Sequence, residues 1–138
     1  MWLKSLILFM TIFLMTFLTI GNSLCEDTGF KSKDLIGIWK PDLPEEGFSK
    51  VLKFSNDGTY RIAWSVEKLD TRPVDKGQVR FEGEQVTFVP SGSPTCKTNT
   101  GRYSIKMTEK GNFQLTVNDD PCYERRADFV PEWTRVKP

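Results

Sequence analysis

The chain has no histidine among its 138 residues and only three cysteines. Because histidine is the commonest general base and transition-metal ligand, its absence excludes histidine-based triads and histidine-containing zinc sites. Three widely spaced cysteines do not form a zinc ribbon, and no glycine-rich phosphate loop is present. We therefore expect no metal, no cofactor and no catalytic residues.

An excess of one charge is also absent, since 19 Lys and Arg accompany 18 Asp and Glu and the net charge is +1. A nearly neutral domain has no electrostatic attraction to nucleic acid or to an anionic membrane surface. Nucleic acid is thus excluded as an expected partner.

Long apolar runs are confined to the N-terminus. Lys4 supplies a positive charge, and the run from Leu6 to Ile20 is interrupted only by threonine. This run is shorter than the roughly 20 residues that a membrane span needs, which is typical of a cleaved export signal. Small residues precede the predicted cut after Ser23. We expect a signal peptide over 1–23 and an exported (secreted or periplasmic) domain over 24–138, without a membrane span in the mature chain.

The three cysteines have different expected roles. Export places them in an oxidising compartment, which favours a disulfide bond between Cys96 and Cys122. Closing a loop of that size stabilises the fold by about 3 to 4 kcal/mol in the chain-entropy model. Cys25 is then left over, and it is free, paired between chains or the site of a lipid anchor. Leu24 argues against the anchor, because bacterial lipoprotein signals carry a small residue before the cysteine.

Turn signals divide the rest of the chain into short segments. Apolar and polar residues alternate most clearly over 60–67 and 102–108, as in strands with one buried face. The eight predicted strands are 34–40, 49–54, 60–67, 78–82, 85–89, 102–108, 113–117 and 132–137. A short helix is predicted over 121–128, with Asp120 as its cap and Pro121 at its first position.

Eight consecutive strands without a long intervening helix predict an all-β fold. The expected architecture is an eight-stranded antiparallel up-and-down barrel with one short helix before the last strand, because closure removes exposed sheet edges. Tight turns follow strands two, four and six, whereas long connections follow strands one, three, five and seven. Long loops therefore gather at one end, and Cys96 and Cys122 both fall there.

Gly37 and Trp39, separated by one residue, resemble the Gly-x-Trp signature of lipocalin and calycin barrels. The run 133–135 ends in Arg135 and resembles the element with which lipocalins place a late arginine over that tryptophan. The resemblance implies a compact lipocalin-like barrel in which Gly37, Trp39 and Arg135 are structural and the indole seals the closed end. A guanidinium stacked on an indole contributes about 1 to 2 kcal/mol when partly desolvated. The middle loop motif and the long helix of typical lipocalins are missing.

The resemblance also implies a small apolar or amphiphilic ligand inside the barrel. The residues expected to line its pocket, at the long-loop end, are Trp64, Val66, Val79, Phe88 and Tyr103. Small eight-stranded barrels either hold one ligand or are filled by side chains, and the many aromatic residues make a filled core the alternative. With a filled core, the loops over 41–47 and 68–76 would contact a protein partner.

A dense group of charged residues follows the seventh predicted strand. Its members are Asp119, Asp120, Glu124, Arg125 and Arg126. We expect them to cap and solvate the short helix rather than to act as an acid and a base. A metal-free isomerase or cyclase that uses Glu124, Arg126 or Tyr103 is the third hypothesis, since fold alone does not assign function.

Overall fold

The computed structural model describes residues 30–42, 50–129 and 131–138. Eight antiparallel strands close into a barrel in sequence order, which confirms the predicted fold class. The strands are β1 Gly37–Pro41, β2 Val51–Phe54, β3 Thr59–Ala63, β4 Asp75–Glu82, β5 Gln85–Pro90, β6 Gly101–Met107, β7 Phe113–Asp119 and β8 Glu132–Arg135. Among the described residues, three short helices accompany them: the 3-10 helices Ser32–Leu35 and Val66–Lys68, and the α-helix α1, Tyr123–Asp128.

Some predictions lie outside the described residues. These are the signal peptide over 1–23, the role of Cys25 and most of the loop over 41–47. Within the described ranges, no helix has both the length and the apolar character needed to cross a bilayer.

Arg135 fastens the closed end of the barrel. It lies opposite Trp39 in the β1–β8 ladder, and its guanidinium carbon is 4.3 Å from the centre of the indole. The guanidinium donates hydrogen bonds to the carbonyls of Asp34 and Ile36 at 2.5 and 2.7 Å. The indole N–H of Trp39 donates to the Leu35 carbonyl at 2.8 Å. The first 3-10 helix is therefore tied across the barrel base.

Gly37 makes room for this arrangement. Its φ of +140° is disfavoured for residues with a side chain, and a Cβ atom there would clash with Nη1 of Arg135. Gly37, Trp39 and Arg135 therefore pack together at the closed end.

The third strand is shorter than the alternating pattern predicted. β3 ends at Ala63, and the loop after it folds back on the outer wall, where Leu69 packs against Val51 and Ala63. Asp70 in the same loop pairs with Lys53 at 3.2 Å. Burial of one apolar side chain outside the barrel thus ends the strand early.

Trp64 and Val66 consequently lie on the surface, with 49% and 38% of their area exposed. The prediction that they face the interior is wrong, because the alternation stops where the loop leaves the barrel wall. The Lys50 ammonium lies 4.5 Å from the centre of the Trp64 ring. β4 begins at Asp75, so the loop predicted over 68–76 lies earlier in the chain, over 64–74.

The connection after β7 contains the disulfide bond and α1. Cys96 and Cys122 are bonded, with Cα atoms 5.4 Å apart, as predicted. The helix begins at Tyr123 rather than at Pro121, and the predicted cap is wrong. Asp120 does not cap the helix because its carboxylate points into the barrel, where it also accepts the Cys122 N–H at 2.8 Å.

Aromatic rings fill the barrel from its closed to its open end. Successive ring centroids lie 4.7, 6.1, 6.1 and 5.6 Å apart along Trp39, Phe113, Phe54, Phe88 and Tyr103. Each of these side chains is at most 1% exposed. Aromatic pairs at such distances contribute about 0.5 to 1.5 kcal/mol beyond the area they bury. These rings therefore pack on one another in the interior, where a ligand was expected to lie.

Replacing Arg135 by alanine tests the closed end. We expect Arg135→Ala to lower the free energy of unfolding by about 1 to 2 kcal/mol, because it removes the indole contact and two charge-assisted hydrogen bonds. Arg102→Ala is the control, since Arg102 makes an exposed ion pair with Asp119 and should cost less than about 0.5 kcal/mol. Urea unfolding measures both, and equal losses would contradict the role of Arg135.

Candidate functional site

A buried ion cluster closes the open end of the barrel. Arg125, in the middle of α1, is 0% exposed and points into the barrel. Its partners come from the wall and its edge: Asp75 begins β4, Asp120 follows β7, and Tyr60 and Tyr103 lie in β3 and β6. We call these five residues the Arg125 cluster.

The guanidinium uses all five of its N–H groups. Nε and Nη2 of Arg125 donate to the two carboxylate oxygens of Asp120 at 2.7 and 2.8 Å. Nη1 donates to Asp75 at 3.3 Å and to the Tyr60 hydroxyl at 3.4 Å. The remaining bond goes to the Asn99 carbonyl at 2.6 Å. A bidentate pair of this kind fixes the orientation of the arginine as well as its charge.

The two tyrosine hydroxyls complete the cluster. Tyr60 donates to Asp75 at 3.1 Å, and Tyr103 donates to Asp120. Across the described ranges, every buried side-chain nitrogen or oxygen has a hydrogen-bond partner. A fully satisfied polar network in a low-dielectric interior is rigid.

Burial sets the ionisation of the cluster. It raises the pKa of Asp75, although hydrogen bonds and the charge of Arg125 oppose the shift. Burial also raises the pKa of Tyr60 and Tyr103 far above their ordinary value, so both hydroxyls keep their protons and act as donors. Burial alone would lower the pKa of Arg125. The hydrogen bonds and the charge of Asp120 outweigh burial and raise this pKa above its ordinary value, so the group stays cationic.

Gly101 leaves the space that the cluster occupies. A Cβ atom at this position of β6 would lie 2.5 Å from Oδ2 of Asp120 and 2.7 Å from Nη2 of Arg125. Any side chain here would therefore displace the ion pair.

Helix α1 acts as a lid over the mouth of the barrel. Just after it, the Phe129 ring centre lies 5.0 Å from those of both Phe88 and Tyr103. Lys50 binds Asp128 at 2.5 Å near the end of the helix. The disulfide holds the other end, so the lid has a covalent, an ionic and an aromatic attachment.

The structure separates the residues that were predicted to line a pocket. Val79, Phe88 and Tyr103 are buried in the core, whereas Trp64 and Val66 lie outside. The phenol of Tyr103 belongs to the Arg125 cluster. Only part of the predicted set is therefore brought together.

The charged group after β7 is divided in the same way. Asp119, Glu124 and Arg126 are exposed, as expected, but Asp120 and Arg125 are buried, and the expectation that they are solvated is wrong. In a helix of six residues only one or two side chains face the barrel, and here Arg125 does. The sequence did hold one signal that Arg125 faces the interior. Apolar Phe129 lies four residues after Arg125, and residues four apart share a helix face.

Two grooves lined by described residues lie on the surface, and Val79, which was expected to line the ligand pocket, borders the second. One of about 240 Å³ runs beside Lys76 and Gln78 on the outer wall. Another of about 150 Å³ lies at the closed end beside Val79 and Phe81. The described part of the chain holds no group of three or more Cys, Asp or Glu side chains placed to bind a metal ion.

No protein-family model matches the chain, and a search of curated proteins finds no significant relative. The likeness to lipocalins therefore depends on the barrel and on the closed-end arrangement of Gly37, Trp39 and Arg135.

Replacing Arg125 tests the cluster. Arg125→Met should lower the free energy of unfolding by about 3 to 5 kcal/mol, because two carboxylates stay buried without their cation. Arg126→Met is the matched control: Arg126 is an exposed neighbour on the same helix, and its loss should cost less than about 0.5 kcal/mol. Similar urea midpoints for the two variants would show that the cluster does not stabilise the fold.

The raised pKa of Asp75 gives a pH dependence of stability. A carboxyl that binds its proton more tightly in the folded state stabilises the fold below its unfolded pKa, and this contribution is lost as pH rises through the folded pKa. Stability of the wild type should therefore fall relative to that of Asp75→Asn as the pH rises above about 4, the ordinary aspartate pKa. Carboxyl ¹³C NMR provides a direct check, and titration of Asp75 at or below the ordinary aspartate pKa would contradict the prediction.

Proposed function

We propose that this protein is an exported, compact relative of the lipocalins that serves as a binding module for another macromolecule and not as an enzyme. The continuous contact of aromatic rings inside the barrel supports the proposal, because it favours a filled core and leaves the outer surface as the place for recognition. The apolar segment at 6–20 supports export, as does the pairing of Cys96 with Cys122.

The surface at the open end fits this role. We define the rim as the loop over 64–74 together with α1. Trp64 and Tyr123 lie on it with 49% and 69% of their area exposed. Tryptophan and tyrosine are enriched at the energetic centres of protein interfaces, so two exposed rings here favour contact with a partner.

Each of these rings has a cation beside it. Lys50 lies 4.5 Å from the Trp64 ring, and the guanidinium carbon of Arg126 lies 5.9 Å from the Tyr123 ring. Such contacts restrict the rings before binding and so reduce the entropy lost when a partner docks.

The other two hypotheses receive less support. A preformed apolar pocket needs an open interior, but the rings of Phe88 and Tyr103 pack on each other and on Phe129. An isomerase or cyclase needs reactive groups that face one substrate. Glu124 and Arg126 are exposed on the helix, while the Tyr103 hydroxyl is buried and bonded to Asp120.

Affinity capture from the medium or envelope of the source cells tests the rim. Wild type is compared with the double variant Trp64→Ser, Tyr123→Ser and with Val117→Ser, an equally exposed apolar residue on the outer wall of β7. We expect the rim variant to recover at least about tenfold less of a specific partner, as for loss of interface anchors, and Val117→Ser to match wild type. Equal recovery by all three proteins would contradict the proposal.

The filled interior makes a second, independent prediction. Native mass spectrometry of the purified protein should show the mass of the chain alone. Added fatty acids, sterols or tetrapyrroles should leave tryptophan fluorescence unchanged, because the rings already fill the barrel. A copurifying apolar molecule would show that the interior opens to such ligands.

A further inference from the structure

Three cations lie side by side on the outer wall of the barrel. In the strand ladders, Lys53 of β2 is opposite Arg61 of β3, and Arg61 is opposite Lys76 of β4. Side chains at opposite positions of antiparallel strands are close neighbours, and like charges there lower stability. The row is therefore a local concentration of positive charge, which the net charge of +1 does not reveal.

The described residues neutralise this row only in part. Asp70, in the loop over 64–74, binds Lys53 at 3.2 Å and also binds Nη1 of Arg61. The other N–H groups of that guanidinium have no partner in the described part of the chain, and neither has the Lys76 ammonium. One carboxylate thus serves three cations. Proteins depart from the rules of local stability mainly at functional sites, so the row is a candidate for binding an anion.

A groove of about 240 Å³ opens beside Arg61 and Lys76. It also includes Tyr60 and Gly77, which face each other in the ladder between β3 and β4. Side chains alternate between the two faces of a strand, and the Tyr60 ring is buried in the interior, so no side chain projects outward at this pair. The resulting depression is somewhat smaller than the roughly 300 Å³ of pockets for drug-sized molecules, which suits a smaller ligand.

The rest of the lining is polar and differs between the two ends of the groove. Ser91 lies beside the cations, because its backbone N–H donates to the Lys76 carbonyl at 3.0 Å. Thr59 and Gln78 are an opposite pair nearer the tight turn between β2 and β3. In that turn, the Asp57 carboxylate accepts a hydrogen bond from the Thr59 hydroxyl at 2.6 Å. Donors for an anion thus lie at one end, and an acceptor for hydroxyl groups lies at the other.

We propose that this groove binds a sugar, or another small polyol, that carries a phosphate monoester. The phosphate lies between Arg61 and Lys76, which both donate charge-assisted hydrogen bonds to its oxygens, and the hydroxyl groups face Gln78 and Asp57. A phosphate monoester carries a charge of about −1.5 to −2 at pH 7, which compensates the two cations. Asp57 repels a second anionic group, so extended polyanions are disfavoured. This inference goes beyond the rim proposal and does not rest on it.

Calorimetric titration of the purified protein with glucose 6-phosphate tests the proposal. We expect saturable binding at one site. Glucose 6-sulfate has a similar shape but only one negative charge, so it should bind several-fold more weakly. Glucose and inorganic phosphate each lack one half of the ligand, and each should bind at least about tenfold more weakly, because several hydrogen bonds are lost.

A lysine variant locates the phosphate. Lys76→Met should weaken the binding of glucose 6-phosphate at least about tenfold, because it removes the unpaired cation. Lys106→Met is the matched control: it removes an exposed lysine of β6, changes the net charge equally and should leave the affinity unchanged. Lys76→Met should also raise the urea midpoint slightly, because it relieves repulsion with Arg61, so its loss of binding does not result from unfolding.

An aspartate variant tests the site by a gain of affinity. Asp70 competes with the ligand for Arg61, so Asp70→Asn should tighten the binding of glucose 6-phosphate several-fold. Asp119→Asn is the matched control, because it removes another exposed carboxylate, which is paired with Arg102 and does not line the groove. This control should bind as wild type does.

Any of the following results would overturn the proposal. Glucose 6-phosphate might show no saturable binding, or inorganic phosphate or glucose 6-sulfate might bind as tightly as it does. The two lysine variants might lose affinity equally, or Asp70→Asn might bind no more tightly than Asp119→Asn. Tighter binding of a single-stranded oligonucleotide than of the sugar phosphate would assign the cations to nucleic acid and would also overturn it.

Discussion

The bidentate ion pair between Arg125 and Asp120 is the interaction on which the open end of the barrel depends. It holds the lid helix, and through Asp75 and two tyrosines it also joins three strands of the wall. Without the guanidinium, two carboxylates would remain in an apolar interior, where an unpaired charge costs several kcal/mol. The cluster therefore holds the lid and the wall in a single arrangement.

An arginine also fastens the other end. Arg135 stacks on Trp39 and binds backbone carbonyls, whereas Arg125 binds carboxylates. Between these two residues the aromatic rings pack in contact along the barrel. Strands of four to eight residues form the wall. In so short a barrel, the two arginines and the rings between them extend from the closed end to the open end. We therefore expect recognition of a partner at the rim.

The sequence predicted the architecture because the barrel follows from patterns that are local. Alternation, turn residues and the order of short and long connections define eight strands and their closure, and the cysteine pairing follows from that topology. Boundaries were less predictable. Trp64 continues the alternating pattern of β3, but burial of Leu69 on the outer wall takes the chain out of the sheet first. An alternating pattern of apolar residues does not show which of the two side chains, Trp64 or Leu69, will be buried.

The site was the least predictable part. Adjacent charged residues are usually solvated, so Asp120 and Arg125 were interpreted as surface residues. Their burial depends on Asp75, which lies 50 residues away from Arg125 in the chain, and on the space left by Gly101. Neither contribution is visible before the barrel is closed. The residues that carry the resemblance to lipocalins lie at the closed end and gave no information about this site.

Hydrogen exchange of the arginine side chains tests the central claim most directly. Two-dimensional ¹⁵N NMR resolves the Nε–H signals of Arg125 and Arg126, which are neighbours on one helix and differ in burial. The account predicts that the Arg125 proton exchanges with water at least about a hundredfold more slowly than that of Arg126, because exchange requires the lid to open. Equal exchange rates for the two side chains would show that the open end is not closed by the ion cluster.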